Sequence, residues 1–530
     1  MAGTKVVQYL SNNEFGQSYA ARRTNTLLAT LAPAFVAFGI HKQLAPQLHL
    51  TSICRAFFPR LATGPGVSLA DEVCQISAIH THYTTFEISV ALATLVQIYT
   101  AYKLLASSDA KGRVWGIQTC AVLATASVAV ALFTYALSVP YPVYLVSVAL
   151  QCEKAVLALG AMYACDMTND EEKNTSRLSD MAEKPHTPST GFFASWPDLR
   201  LLPLIQLLIL RMVCKDWLGS TVGRIMEESG NPLLAMLLSL ALAGTFYMWS
   251  KHLPEFRALT KPPYLHTPKE YRDSKDTLYS PNSSTADLTE EAVPSPLKNL
   301  MIVVALVSMT SAATLKIMPV FSSYMWDWRA LDLAKIFVGM SVSAMGGLLG
   351  TPTLLPYIFL GISKLCRRSI KPTDTNVVRL GALFAVAAGI SCTVPNDVAF
   401  IVGVMVLSLV RSVSYPHMLD YIINGLGPVC GSGYALALVI GAMEVGTVTG
   451  DLIVPSLYAS VFPATQAFFA ILAVALAAAA VVLYRLPAHV TVWGAKEEQH
   501  GDTSSETDTM SPEIHSDDEM SRSISPWPVQ

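Results

Sequence analysis

Charge is what this chain has least of: Asp, Glu, Lys and Arg make up only 14% of its 530 residues, against about 25% in soluble domains. That excludes an ordinary soluble surface. No basic tract is present and the formal net charge is -3, which excludes a nucleic-acid partner held through its phosphates. No G-x-x-x-x-G-K-[ST] loop occurs, so ATP does not act directly as a driving ligand. The nine cysteines lack paired C-x-x-C spacing, and no metal or other cofactor is expected. Histidine is missing from the middle of every apolar run, with His41, His82 and His417 near run ends. A membrane-embedded enzyme would need such residues clustered in one leaflet, so none is expected. Residues 1–21 are polar and lack the apolar core of a cleavable signal, so the first apolar run is expected to act as an uncleaved one, with the start of the chain in the cytosol.

What is present is hydrophobic length. Apolar residues make up 52% of the chain, gathered into about twelve runs of roughly twenty residues, the length at which a helix rising 1.5 Å per residue crosses ~30 Å of hydrocarbon. Lipid satisfies no backbone polar group, so each run must close its own hydrogen bonds as a helix. The runs span 26–44, 86–106, 114–137, 143–165, 200–221 and 232–250, then 298–321, 333–360, 377–394, 398–419, 431–458 and 465–486. The expected fold is an all-α integral membrane protein of about 12 transmembrane helices in two six-helix halves, 26–250 and 298–486. A cytosolic N-terminus (1–25), a Pro- and Ser-rich cytosolic linker (251–297) and an acidic cytosolic tail (487–530) complete it, the last two too polar to fold alone.

Lys and Arg in short loops set the orientation. Lys364, Arg367, Arg368 and Lys371 follow the eighth run, with Arg379 just beyond, and Lys111 and Arg113 follow the second. Both loops belong inside, which places both termini and the linker in the cytosol. The 48–85 segment and the Trp326-Asp327-Trp328 turn then face outward. Cys54 and Cys74 fall in that outer segment, where a disulfide between them can persist. Two sets of six helices joined by a cytosolic linker are what a parallel repeat gives, with a ligand site between the halves near the midplane.

Several short phrases point to a family. Between the second and third runs the chain reads Ser107-Ser108-Asp109-Ala110-Lys111-Gly112-Arg113. Asp109, Gly112 and Arg113 resemble the second part of the G-x-L-x-D-R-x-G-R-R signature of the major facilitator superfamily; Leu105 stands where that signature has its first glycine and Val114 where it has its second arginine. The 51–58 phrase with Cys74 is similar to an outer loop of fungal members. The acidic turn 166–173 is similar too, as are His252-Leu253-Pro254-Glu255 and the Pro294-Ser295-Pro296-Leu297 phrase before the seventh run. Together they cover most of the chain in order, and the chain resembles a divergent fungal branch of that superfamily. The resemblance implies that Asp109 and Arg113 lock the loop against neighbouring helix ends in one conformation, with Gly112 permitting the turn. It also implies that the first, fourth, seventh and tenth helices line a central cavity.

Charges inside the membrane are costly, roughly 2.5 to 3.5 kcal/mol at the centre of a lone helix, and face a partner or a wet cavity. Glu153 and Lys154 lie in the fourth run, Arg211 in the fifth, Lys316 in the seventh, Arg411 in the tenth, and Glu444 and Asp451 in the eleventh. Tyr415 stands one turn beyond Arg411. These residues form the expected substrate or proton pathway. Lys316 and Asp451 are expected to neutralise each other. Glu153 and Lys154 cannot share one face, because neighbours differ by about 100° around a helix. Glu153 or Glu444, each among apolar residues, has the surroundings a proton carrier requires. Gly219 with Gly223, and Gly446 with Gly450, are spaced for close helix approach.

The expected function is secondary transport of a small organic substrate across the lipid bilayer by alternating access, coupled to protons. The resemblance implies export of a secondary metabolite, with the plasma membrane as the location. A nutrient uptake carrier and a transport-inactive sensor or scaffold of the same fold stand as alternatives.

Overall fold

The computed structural model describes residues 23–45, 48, 77–137, 141–181, 198–254, 294–367, 373–461 and 465–487. Every element among them is a helix, and ten helices are long and apolar enough to cross a membrane. Cys54, Cys74, nearly all of the linker and the acidic tail lie outside the described residues.

In the first half, α1 is Arg23–Ala45, α2 Ser77–Lys111 and α3 Arg113–Ala136, followed by α4 in two pieces, Tyr141–Ala149 and Glu153–Met181. α5 runs Asp198–Arg211, widens over Met212–Gly219 and ends as Ser220–Glu228, and α6 is Pro232–Ser250. The second half comprises α7 (Ser295–Trp326), α8 (Ala330–Cys366), α9 (Asp374–Ser391), α10 (Asp397–Asp420, continuing to Cys430), α11 (Ser432–Val461) and α12 (Thr465–Tyr484). Within the halves α3 packs on α4 and α6, α7 on α11 and α12, and α10 on α8 and α9. Between them, α11 meets α2 and α4, and α5 meets α8 and α10.

Local chemistry sets the breaks between rods. Gly112 at φ 101° separates α2 from α3, and Gly431 at φ 87° separates α10 from α11; both lie in the left-handed region that favours glycine. Thr373 accepts the amide of Asn376 at the start of α9, and Asn396 accepts that of Ala399 at the start of α10. Several helices outrun their apolar cores, α2 and α8 most of all, because polar ends continue the hydrogen-bond ladder beyond the hydrocarbon.

The fourth run departs from the expected continuous span. The α4 helix breaks at Leu150–Cys152, deep in the bundle. Neighbouring helices satisfy the carbonyls beside the break: Ser127 of α3 donates to Ser147 O at 2.8 Å and Gln97 of α2 donates to Val148 O. Irregular backbone at membrane depth is tolerated where protein supplies such partners. In α5 the widened stretch takes i→i+5 bonds, as where Ser220 N–H reaches Lys215 O. There the chain crosses α1 closely, for a Cβ on Gly219 would lie 2.6 Å from Val36 O and 2.9 Å from Gly39 Cα. On the same close-packing principle, a Cβ on Gly450 would lie 2.6 Å from Met309 O in α7.

Candidate functional site

The break in α4 makes Glu153 the first residue of a new helix, where backbone N–H groups and the helix dipole favour an acid. Its carboxylate faces α5. Arg211 donates to Glu153 Oε1 from Nε at 3.3 Å and Nη2 at 3.2 Å, and Lys215 donates to the same oxygen. The widened turn sets Asp216 alongside, 3.9 Å from Lys42 of α1.

Lys154, one residue on, points elsewhere and pairs with Glu444 of α11 in the other half. The sequence expectation that these neighbours could not share a face is met: one serves the first half and the other bridges the two. Glu444 is buried by this pairing. Among apolar sequence neighbours, its carboxylate finds its counter-charge on the other half.

Arg411 of α10 completes the group. It lies within electrostatic range of Arg211 and Asp216 on α5 and of Tyr415 one turn along α10. Among the described residues Arg411 has no hydrogen bond and no ion pair. It sits deep in the bundle yet is exposed, because it projects into a cavity of about 200 Å³ and not into packed side chains. The group as a whole holds five cationic side chains (Lys42, Lys154, Arg211, Lys215 and Arg411) against three carboxylates (Glu153, Asp216 and Glu444). Uncompensated positive charge at this depth suits an anion.

Lys316 and Asp451 lie on the α7–α11 seam, further toward the α7–α8 turn. Lys42, Lys215 and Asp216 were not among the residues expected from sequence. The spacing of Arg211 and Lys215, four apart and so on one helix face, was the available signal for the second.

A second constellation joins the halves at the α2–α3 turn. Arg113 donates to Asp109 at 2.5 Å, to Asp166 of α4 at 3.0 Å, to Ser108 at 2.9 Å and to Ser432 of α11 at 2.6 Å. Asp109 also accepts the backbone N–H of Gly433 at 3.0 Å and of Tyr434 at 3.3 Å. These are unpaired amides of the first turn of α11, which an acid both satisfies and stabilises. Gly433 belongs to this contact: a Cβ there would collide with Leu105 O and lie 2.9 Å from Asp109 Oδ2. Both Asp109 and Arg113 are buried.

No family model and no curated protein sequence matches the chain. Solved structures do. The human organic anion transporter MFSD10 aligns at 16% identity over 88% of this chain and 99% of its own, with a TM-score of 0.59. The major facilitator superfamily transporter FucP, in an outward conformation, aligns at 12% identity over 87% and 98%, with a TM-score of 0.52. A variant of the E. coli fucose:proton symporter FucP aligns at 10% identity over the same shares, with a TM-score of 0.53. The chain has the major facilitator fold.

Proposed function

We propose that this multi-pass membrane protein of the major facilitator fold is a secondary transporter that carries a small organic anion by alternating access. The observation that carries the reading is Arg411: a cation without an ion pair among the described residues, projecting into a cavity, on the second half's α10 and within electrostatic range of Arg211 of the first half. An anion held between two arginines from opposite halves feels both when the halves move, and differential contact of that kind is what lets a ligand bias a conformational equilibrium. MFSD10 is named as an organic anion transporter and FucP as a fucose:proton symporter. Both names support small-molecule cargo, and the first supports its sign.

The contact of Asp109 and Arg113 with α11 supports movement over a static scaffold. Its bonds are few, polar and confined to one end of the bundle, as a closable gate requires. The loop charges place that end in the cytosol, so the conformation described has its cytosolic side fastened. Proton coupling fits Glu153, whose two cations an arriving anion would draw away, leaving a carboxylate within the membrane interior without its counter-charges. Export and a plasma-membrane location are implied by the sequence resemblance.

The test is uptake into proteoliposomes holding the purified chain, with a panel of radiolabelled organic anions and matched neutral analogues under an imposed pH gradient. Saturable anion flux lost in Arg411→Gln is expected. Flux of neutral analogues at equal rate, or anion flux unaffected by the substitution, overturns the reading.

A further inference from the structure

The cavity that Arg411 enters is not symmetric about the seam. Every residue that lines it, from Val303 to Leu483, belongs to the second half, and its walls come chiefly from α7, α9, α10 and α12. Those walls are largely apolar, with Val307, Val404, Phe469, Leu472 and Leu476 among them, and α7 adds the hydroxyls of Ser308, Thr310, Ser311 and Thr314. Arg411 is the one charged side chain among the lining residues. Arg411 and Ser414 are three apart on α10 and so neighbours on one helix face, and both line the cavity. The Ser414 hydroxyl is buried and makes no hydrogen bond among the described residues. A buried hydroxyl without a partner costs free energy, and here it stands beside a cation without an ion pair. Two unsatisfied groups of the kind that hold an acid therefore face one largely apolar chamber.

We propose that this chamber, inside one half, is the seat for the apolar body of a small monoanion, with Arg411 and Ser414 taking its acidic head. The volume, about 200 Å³, falls below the ~300–1,000 Å³ typical of drug-sized ligands. That limits the body to about the size of one substituted ring. A second charge on the ligand would meet only apolar groups and hydroxyls, with no second charged side chain in the lining to offset its desolvation. Recognition is thus lopsided: every residue that lines the chamber belongs to the second half, and Arg211 of the first half is not among them. That the anion is cargo rests on the transport reading above; that it binds does not.

Isothermal titration of the purified full-length chain in nanodiscs tests this with three probes of one shape: phenylacetate, neutral phenylacetamide and cationic phenethylamine. Phenylacetate alone is expected to bind at millimolar concentration. Arg411→Gln should weaken it by ~tenfold or more, and Arg411→Lys by less. Leu476→Trp, which fills the chamber without touching a charge, should abolish binding while the melting temperature shows the protein folded. Equal binding of all three probes, full binding by Leu476→Trp, or no binding of phenylacetate by the folded wild type overturns the proposal. Binding without flux in proteoliposomes leaves the chamber standing and removes the transport reading. Flux of other solutes without phenylacetate binding does the reverse.

Discussion

Lys154 of α4 and Glu444 of α11 form an ion pair that ties the two halves together deep within the bundle. Each is the other's compensation in surroundings where a single charge is expensive. The pair is therefore a condition of the closed seam as well as a feature of it.

Exchanging the two charges tests that relationship. Lys154→Met and Glu444→Gln alone should each lower the melting temperature and impair flux. Lys154→Glu combined with Glu444→Lys should recover most of both, with a coupling of ~1 kcal/mol or more in a double-mutant cycle. Additive losses in the exchanged protein would mean that the two residues act separately.

At the gate, Asp109→Asn removes the charge that both Arg113 and the α11 amides face. Hydrogen bonds to charged groups contribute ~1.5–3 kcal/mol, so the open-gate population should rise by about tenfold or more. Spin labels on Lys111→Cys and Val429→Cys, in a background without other reactive cysteines, would report this as a second, longer distance. An unchanged distance distribution would show that the gate is held by other contacts.

Gly433→Ala should act in the same direction through geometry alone, since its methyl collides with Leu105 O. The same pair of labels should show the longer distance with every gate charge intact. A normal closed distance would contradict the close approach described above.

For Glu153→Gln, the shape of the acceptor is kept while Arg211 and Lys215 lose their shared counter-charge. Accumulation driven by a pH gradient should be lost, while exchange of labelled for unlabelled substrate across the membrane persists. Gradient-driven accumulation at the wild-type rate would exclude Glu153 as the coupling carboxylate.

How far the site was legible in the sequence varies by residue. Arg411, Arg211, Glu153, Lys154 and Glu444 stand out because a charge in an apolar run is rare and conspicuous. Their pairing is a tertiary property and was not visible: Glu153 finds α5 and Lys154 finds α11 only once the helices are packed. The break in α4 was hidden as well, since residues 150–152 hold neither proline nor glycine and the groups that stabilise the break, Gln97 and Ser127, are contributed by α2 and α3. Lys215 and Asp216 escaped although both fall within the 200–221 run; the widened turn of α5 carries them into the cluster. At the α2–α3 turn the partial motif still makes its contact with α11. The chain has Leu105 where the resembled signature has glycine, and the close approach is made instead by Gly433 on the opposite helix.

Both ties between the halves described here, at Gly433 and at Glu444, grip the same helix, α11. Eleven residues separate them, a distance of about 17 Å along the axis. If the mid-depth ion pair acts as a fulcrum, a tilt of about 10° swings the gate end of α11 through ~3 Å, far enough to break every hydrogen bond that Asp109 and Arg113 make to it. Separating the two contacts then asks for a small rotation of one lever, and any displacement near Lys154 is magnified at the Gly433 end.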